Sequence, residues 1–158
     1  MARAMDVGGL QAGDAFGVAA GRIVAVRARE LFDHAEGVLD TEDIERVHAM
    51  RVASRRLRAV LEIFERAFPR ADWRPVLDDV KTLADALGAR RDPDVQIEHF
   101  SALRDELSAE EQPGLDLILA RLREEQARGN AVLAAALQDA HARDLPGRLQ
   151  ALAAEAHA

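Results

Sequence analysis

The sequence has 158 residues, a formal net charge of -7 and no cysteine. This length suits one domain that folds without staples, and the lack of cysteine excludes disulfides, thiolate catalysis and cysteine-ligated zinc. No apolar run of about 18 residues occurs and no signal peptide begins the chain, so we expect a cytoplasmic protein without a membrane partner.

The composition predicts an all-α fold. Alanine and leucine dominate, aromatic residues make up only 4%, and tyrosine is absent. These are the residue frequencies of helices, and the chain shows neither strand alternation nor an internal repeat. We therefore predict a helical bundle of four to six helices with short connections. A flexible lead is expected over residues 1–13 and a single bundle over residues 14–158.

The first two helices are predicted over residues 14–39 and from about residue 42 to residue 68. Apolar residues spaced by threes, fours and sevens indicate the first of them. The stretch "LDTEDIE" offers Asp40 or Thr41 as the N-cap of the second, followed by acids that suit the positive end of the helix dipole. Pro69 is expected to end it.

Glycine and proline delimit the remaining predicted helices. A third covers residues 71–87 and ends at Gly88. Asp92 as N-cap and Pro93 in the first turn then start a fourth, which reaches about residue 107. A fifth follows over residues 115–143, and "LPG" at 145–147 introduces a short terminal helix.

The stretch "VHAMRVASRRLRAVLEIF", residues 47–64, contains five basic side chains and one acid, Glu62. On a helical wheel four of them share a face about 80° wide. This basic stripe consists of His48, Arg51, Arg55 and Arg58. The opposite side carries Met50, Leu57, Leu61 and Phe64, which predicts a core face. Arg56 lies off the stripe, where it could serve a neighbouring surface or a structural ion pair.

The stripe alone leaves its partner open. Arginine forks suit carboxylate and phosphate oxygens equally well, so the stripe could be solvated or could bind an anion. Alternatively, the chain could be a helix-pairing structural or interaction protein, whose arginines pair with carboxylates of its own helices or of a partner. His48 could likewise be a surface residue, a hydrogen-bonded core residue or part of an anion site. If it binds an anion, affinity should rise as the pH falls toward 6.

No pattern in the sequence indicates catalysis or a metal centre. Glu45 and His48 have the Glu-x-x-His spacing of di-iron bundles, but those sites need a second such pair, and the chain has none. No phosphate-binding loop or hydrolase motif occurs. We expect a protein that is not an enzyme and uses no cofactor. A phosphate-processing enzyme would need metal-binding acids, for which Asp78, Asp79 and Asp85 are the candidates.

Two stretches together resemble the CHAD domain, a histidine-containing α-helical family. They are "EDIERVHAMRVASRRLRAVLEIF" at 42–64 and "LADALGARRDPDV" at 83–95. The similarity covers roughly residues 14–100, about the N-terminal half of a family member. The rest of the site could then come from a second copy in a homodimer. Alternatively, the protein could be a shortened form or a truncated one.

The resemblance implies non-catalytic binding of inorganic polyphosphate, with polyphosphate granules as a potential location. By motif position it implies binding by His48, Arg51, Arg55, Arg56, Arg58 and Arg91, with Lys81 as a further basic position. We add Arg22 and Arg29, seven residues apart on one face of the first helix. Arg91 is expected just before a helix N-terminus, where backbone N–H groups would assist. Nucleic acid is an unlikely partner, because no aromatic residues accompany the stripe.

Overall fold

The computed structural model describes residues 3–156, and these form five α-helices and no strand. Residues 1, 2, 157 and 158, which the predicted lead and bundle include, lie outside the described residues. The helices are α1 (Phe16–Asp33), α2 (Ile44–Ile63), α3 (Arg70–Glu106), α4 (Gln112–Ala142) and α5 (Leu145–Ala154), with a short 3-10 turn at Glu65–Ala67. The predicted all-α bundle of four to six helices is confirmed.

One apolar core joins all five helices. Each helix contributes side chains with no solvent exposure, for example Leu31, Met50, Leu87, Leu133 and Leu149. The predicted core face of α2 is confirmed, since Leu57 and Leu61 are also fully buried and Phe64 packs against the core. The opposite side of α2 therefore faces outward.

The predicted break between the third and fourth helices is wrong, because α3 runs without interruption through Gly88 and Pro93. Arg90 and Asp94 are buried and form an ion pair on its inner side. Two side chains of α4 complete the cluster: Asn130 Oδ1 accepts from Arg90 Nε at 3.1 Å, and Gln126 Nε2 donates to Asp94 Oδ1 at 2.7 Å. Packing against α4 thus overrides the local stop signals.

Gly129 of α4 lies against the turn of α3 that precedes Pro93. Proline has no N–H group, so the carbonyl of Ala89, four residues earlier, has no helical donor. Gly129 lies against this carbonyl, and a Cβ atom added to Gly129 would be 2.8 Å from the Ala89 oxygen and 3.0 Å from the Arg90 Cα. The absence of a side chain at Gly129 therefore allows α4 to pack closely against the proline-containing turn.

Other predicted boundaries also need correction. The first helix ends at Asp33 instead of residue 39, and a turn follows in which Gly37 adopts a φ of 70°. Neither predicted N-cap residue caps α2, since Asp43 occupies that position, and Asp40 instead accepts from the Glu42 N–H at 2.9 Å. The helix stops at Ile63 because the chain tightens into the 3-10 turn.

The ends of the last two helices follow the prediction more closely. The helix predicted from residue 115 begins slightly earlier, at Gln112. The short terminal helix is confirmed as α5. Asp144 caps it by accepting from the Gly147 N–H at 3.2 Å.

The segment before α1 contacts that helix through backbone groups. The Met5 N–H donates to Glu30 Oε1 at 3.4 Å, and the Met5 carbonyl accepts from Arg27. Farther along, the Gly9 carbonyl accepts from Arg22. These contacts join the segment to α1, and its predicted flexibility stays a prediction.

Candidate anion-binding face

The basic stripe of α2 lies on the outer surface of the bundle, because the opposite side of the helix is buried. His48 and Arg51 are half-buried, and Arg55 and Arg58 are exposed. The side chains of His48, Arg51 and Arg55 make no hydrogen bond or ion pair with any residue between 3 and 156. The predicted alternative of pairing with the chain's own acids is therefore not realised for these three side chains.

The neighbouring helix α3 contributes two further cations, Lys81 and Arg91. A six-residue connection joins α2 to α3, so the two helices pack as antiparallel neighbours. Lys81 is near the C-terminal end of the stripe, since its Nζ lies 3.5 Å from Glu62 Oε1. Ten residues, about 15 Å of helix, separate Lys81 from Arg91, and the same number separates Arg58 from His48.

Small residues lie between the two cations of α3. Ala84 and Gly88 follow Lys81 at intervals of three and seven, on the side of the helix that also carries Arg91. No described atom outside the local helix lies within 4 Å of a Cβ atom built on Gly88. The surface is therefore open at this point. We call the basic stripe, Lys81 and Arg91 together the basic face.

The environment of Arg91 differs from the predicted one. Because α3 is continuous, Arg91 lies in the middle of a helix and no free backbone N–H groups adjoin it. Its Nη1 atom is shielded from solvent and has no hydrogen-bond partner among the described residues. An anion would therefore have to reach Arg91 through its other nitrogens or after a rotation of the side chain.

Arg56 contacts the interior side of the bundle. Its Nη1 lies 2.8 Å from Oε1 of Glu30, a carboxylate that is 1% exposed and that also pairs with buried Arg27. This geometry matches the structural ion pair that the sequence allowed for Arg56. The ion pair links α1 to α2 below the basic stripe.

Glu62 belongs to the same side of α2 as the basic stripe. Its Oε1 accepts from Arg58 Nε at 3.0 Å and lies close to Lys81. The pKa of Glu62 is lowered, chiefly because Arg58 donates this hydrogen bond, and the charges of Arg58 and Lys81 add to the effect, whereas burial opposes it. One end of the basic face is thus neutralised by an acid of the same chain.

The chain matches the model of the CHAD domain over residues 22–158. It belongs to the CHAD domain family. The matched region extends past the predicted limit near residue 100 and includes α4 and α5 of this CHAD domain. No curated protein and no solved structure matches the chain. The CHAD domain is associated with polyphosphate- and triphosphate-related proteins.

Arg22 and Arg29 of this CHAD domain lie apart from the basic face. Arg22 pairs with Asp14 at 3.2 Å and lines a cleft with Ala153 of α5, and Arg29 borders a second cleft beside Gln150 of α5. The basic face is instead formed by α2 and α3. The structure therefore does not bring the two α1 arginines together with the stripe.

Two of the three acids considered for metal binding pair with arginines. Asp78 pairs with Arg74 at 3.2 Å. Asp79 accepts from Arg143 at 2.9 Å and Arg148 at 2.6 Å, and so links α3 to the C-terminal part of the CHAD domain. Within residues 3–156 no three His, Asp or Glu side chains are close enough together to hold a metal ion.

Sequence reasoning missed two residues at the basic face of the CHAD domain. Glu62 follows His48 by fourteen residues and Arg58 by four, so helical periodicity alone could have placed it on the stripe. Gly88 has the sequence context of a helix end, and nothing local distinguishes that role from an open surface position within a helix. Among the described residues, no helix is both long and apolar enough to cross a membrane.

Proposed function

We propose that this CHAD domain binds inorganic polyphosphate through its basic face without catalysing a reaction. The observation that supports the proposal most directly is a group of three basic side chains, His48, Arg51 and Arg55, that have no hydrogen-bond or ion-pair partner among residues 3–156, on a chain whose net charge is -7. Many other arginines of the chain pair with carboxylates, for example Arg74, Arg104 and Arg143. Unpaired cations on an acidic protein suit an external anion.

The shape of the basic face fits an extended polyanion. Its cations are spread along about 15 Å of the antiparallel helices α2 and α3. They form an open surface instead of an enclosed pocket. Polyphosphate carries charge at every unit and has no bases to read, so it can be recognised by charge alone. Binding of this kind releases counterions and weakens as salt concentration rises.

The negative net charge is compatible with this proposal. At physiological salt the Debye length is about 8 Å, so the local cations determine attraction at the basic face. Distant acids would still oppose broad adhesion to nucleic acid. No phenylalanine or tryptophan belongs to the basic face, and stacking on bases is therefore not available there.

A second copy of the chain could complete the site. The basic face is open on its outer side, so one protomer contacts a polyphosphate chain from one side only. We propose a homodimer in which two basic faces share one ligand chain, an arrangement that C2 symmetry permits. Light scattering with and without polyphosphate measures the mass of the complex. Polyphosphate granules in the cytoplasm would be the corresponding location.

Charge reversal at Arg55 tests the proposal. Labelled long-chain polyphosphate is titrated with the wild-type protein and with Arg55→Glu at several salt concentrations, and fluorescence anisotropy reports binding. We expect affinity to fall about tenfold or more and the salt slope to decrease by about one phosphate contact. Arg55 is exposed and its side chain makes no hydrogen bond or ion pair within residues 3–156, so the melting temperature should change little.

Arg121→Glu is the matched control for this titration. Arg121 is exposed on α4, and replacing it by glutamate changes the net charge by the same amount as Arg55→Glu. Equal weakening by both variants would show that only net charge matters and would contradict a site at Arg55. Micromolar wild-type protein that does not bind polyphosphate at low salt would exclude the proposed function altogether.

A further inference from the structure

Glu62 is placed where a ligand oxygen of the basic face would lie. A single oxygen of its carboxylate, Oε1, contacts two cations from different helices, Arg58 of α2 and Lys81 of α3. The carboxylate continues the i, i+3, i+7, i+10 spacing of the basic stripe at i+14. It therefore resembles an anion bound at the end of the stripe.

We propose that Glu62 acts as an internal competitor that occupies the Arg58–Lys81 end of the basic face and sets the length of polyphosphate bound there. The proposal rests on the function proposed above. The competitor role divides the basic face into two parts. The part with His48 and Arg51 is unoccupied. A ligand enters the other, occupied part only by displacing the Glu62 carboxylate.

The division follows from the distances along α2. Seven residues, about 10 Å, separate His48 from Arg55, and the basic side chains of this part have no partner in the described part of the chain. A short phosphate chain can occupy this part without disturbing Glu62. A long chain gains the contacts to Arg58 and Lys81 only if Glu62 moves away. The competitor thus reduces the advantage that long chains would otherwise have.

The geometry permits this displacement. The side chains of Glu62 and Arg58 are each 44% exposed, and that of Lys81 is 33% exposed, so the ion pairs lie at the surface. Exposed pairs of this kind are held weakly. Since the pKa of Glu62 is lowered, the carboxylate stays ionised near neutral pH and the competition persists there.

Glu62→Gln tests the proposal, with Glu65→Gln as its control. Glu65 is exposed, lies three residues away and has no side-chain partner within the described part of the chain, so both variants remove one negative charge. For long-chain polyphosphate we expect Glu62→Gln to bind about two- to tenfold more tightly, the range expected for two released surface pairs. For tripolyphosphate the change should be less than about twofold, within the screened effect of one removed charge.

Salt dependence provides a second readout. If Glu62→Gln frees a contact, its salt slope with long chains should steepen by about one phosphate, whereas the slope of Glu65→Gln should not change. In a background of Arg58→Gln and Lys81→Gln, Glu62→Gln should give no gain. A gain in that background, or an equal gain from Glu65→Gln, would overturn the proposal by showing a general charge effect.

The failure of this inference can be distinguished from failure of the proposed function. If Arg55→Glu weakens binding but Glu62→Gln leaves affinity and salt slope unchanged for both chain lengths, the competitor role is wrong and the binding function stands. If neither the wild type nor Glu62→Gln binds polyphosphate, both are wrong.

Discussion

Replacing Asp94 by alanine removes the buried partner of Arg90. Both side chains have no solvent exposure, and Asp94 also accepts a hydrogen bond from Gln126 of α4. Breaking a buried ion pair by deleting one partner costs about 3–5 kcal/mol, because the remaining charge stays buried without an opposite charge. Since whole domains are stable by only about 5–15 kcal/mol, Asp94→Ala should remove a large share of the free energy of unfolding.

Thermal and urea denaturation followed by circular dichroism measure this loss. For a chain of this size about 1 kcal/mol corresponds to 2–4 °C, so the melting temperature should fall by ~6–20 °C. Asp92→Ala is the control, because Asp92 is exposed on the same helix and surface substitutions usually change stability by less than about 0.5 kcal/mol.

A third variant tests the physical reason. Arg90→Met combined with Asp94→Leu removes both charges and should recover much of the stability that Asp94→Ala loses, since no unpaired charge remains. If Asp94→Ala costs less than about 1 kcal/mol, or if the double variant is as unstable as the single one, the reasoning about the buried pair is refuted.

Two further predictions concern packing and binding. Gly129→Ala should lower the free energy of unfolding by about 1–3 kcal/mol, because its Cβ atom would press on the Ala89 carbonyl at 2.8 Å. Urea denaturation measures this, and Gly114→Ala, with no described atom within 4 Å of the new methyl group, should be neutral or stabilising. Polyphosphate affinity should fall when His48 is replaced by alanine, because His48→Ala removes a hydrogen-bond donor from the basic stripe. Anisotropy titrations of the wild type and His48→Ala measure this, and equal affinities would remove His48 from the site.

The faces of α2 could be predicted from sequence because they depend on a local period. Met50, Leu57 and Leu61 recur at helical spacing and are all fully buried. The continuity of α3 could not be predicted in this way. Pro93 is a local stop signal, whereas the contact between Asp94 and Gln126 that accompanies the continuous helix joins residues 32 positions apart.

The candidate site could be predicted from sequence only where it depends on the local helical period or on the family resemblance. Helical spacing alone placed His48 and Arg55 on one outer face, and the resemblance to the CHAD domain added Lys81. The pairing of Glu62 with Lys81 depends on how α2 and α3 are aligned, which a single sequence does not encode locally. Arg22 lies beside α5 because of helix packing that the spacing within α1 does not reveal.

The continuity of α3 has a consequence for the ligand. If the helix broke between residues 88 and 92, Lys81 and Arg91 would belong to separate helices joined by a loop, and their separation could change on binding. In one rigid helix it is fixed at about 15 Å before any ligand arrives. Little backbone ordering then opposes association. We therefore expect the backbone of this domain to be nearly the same with and without polyphosphate, with adjustment confined to the long basic side chains.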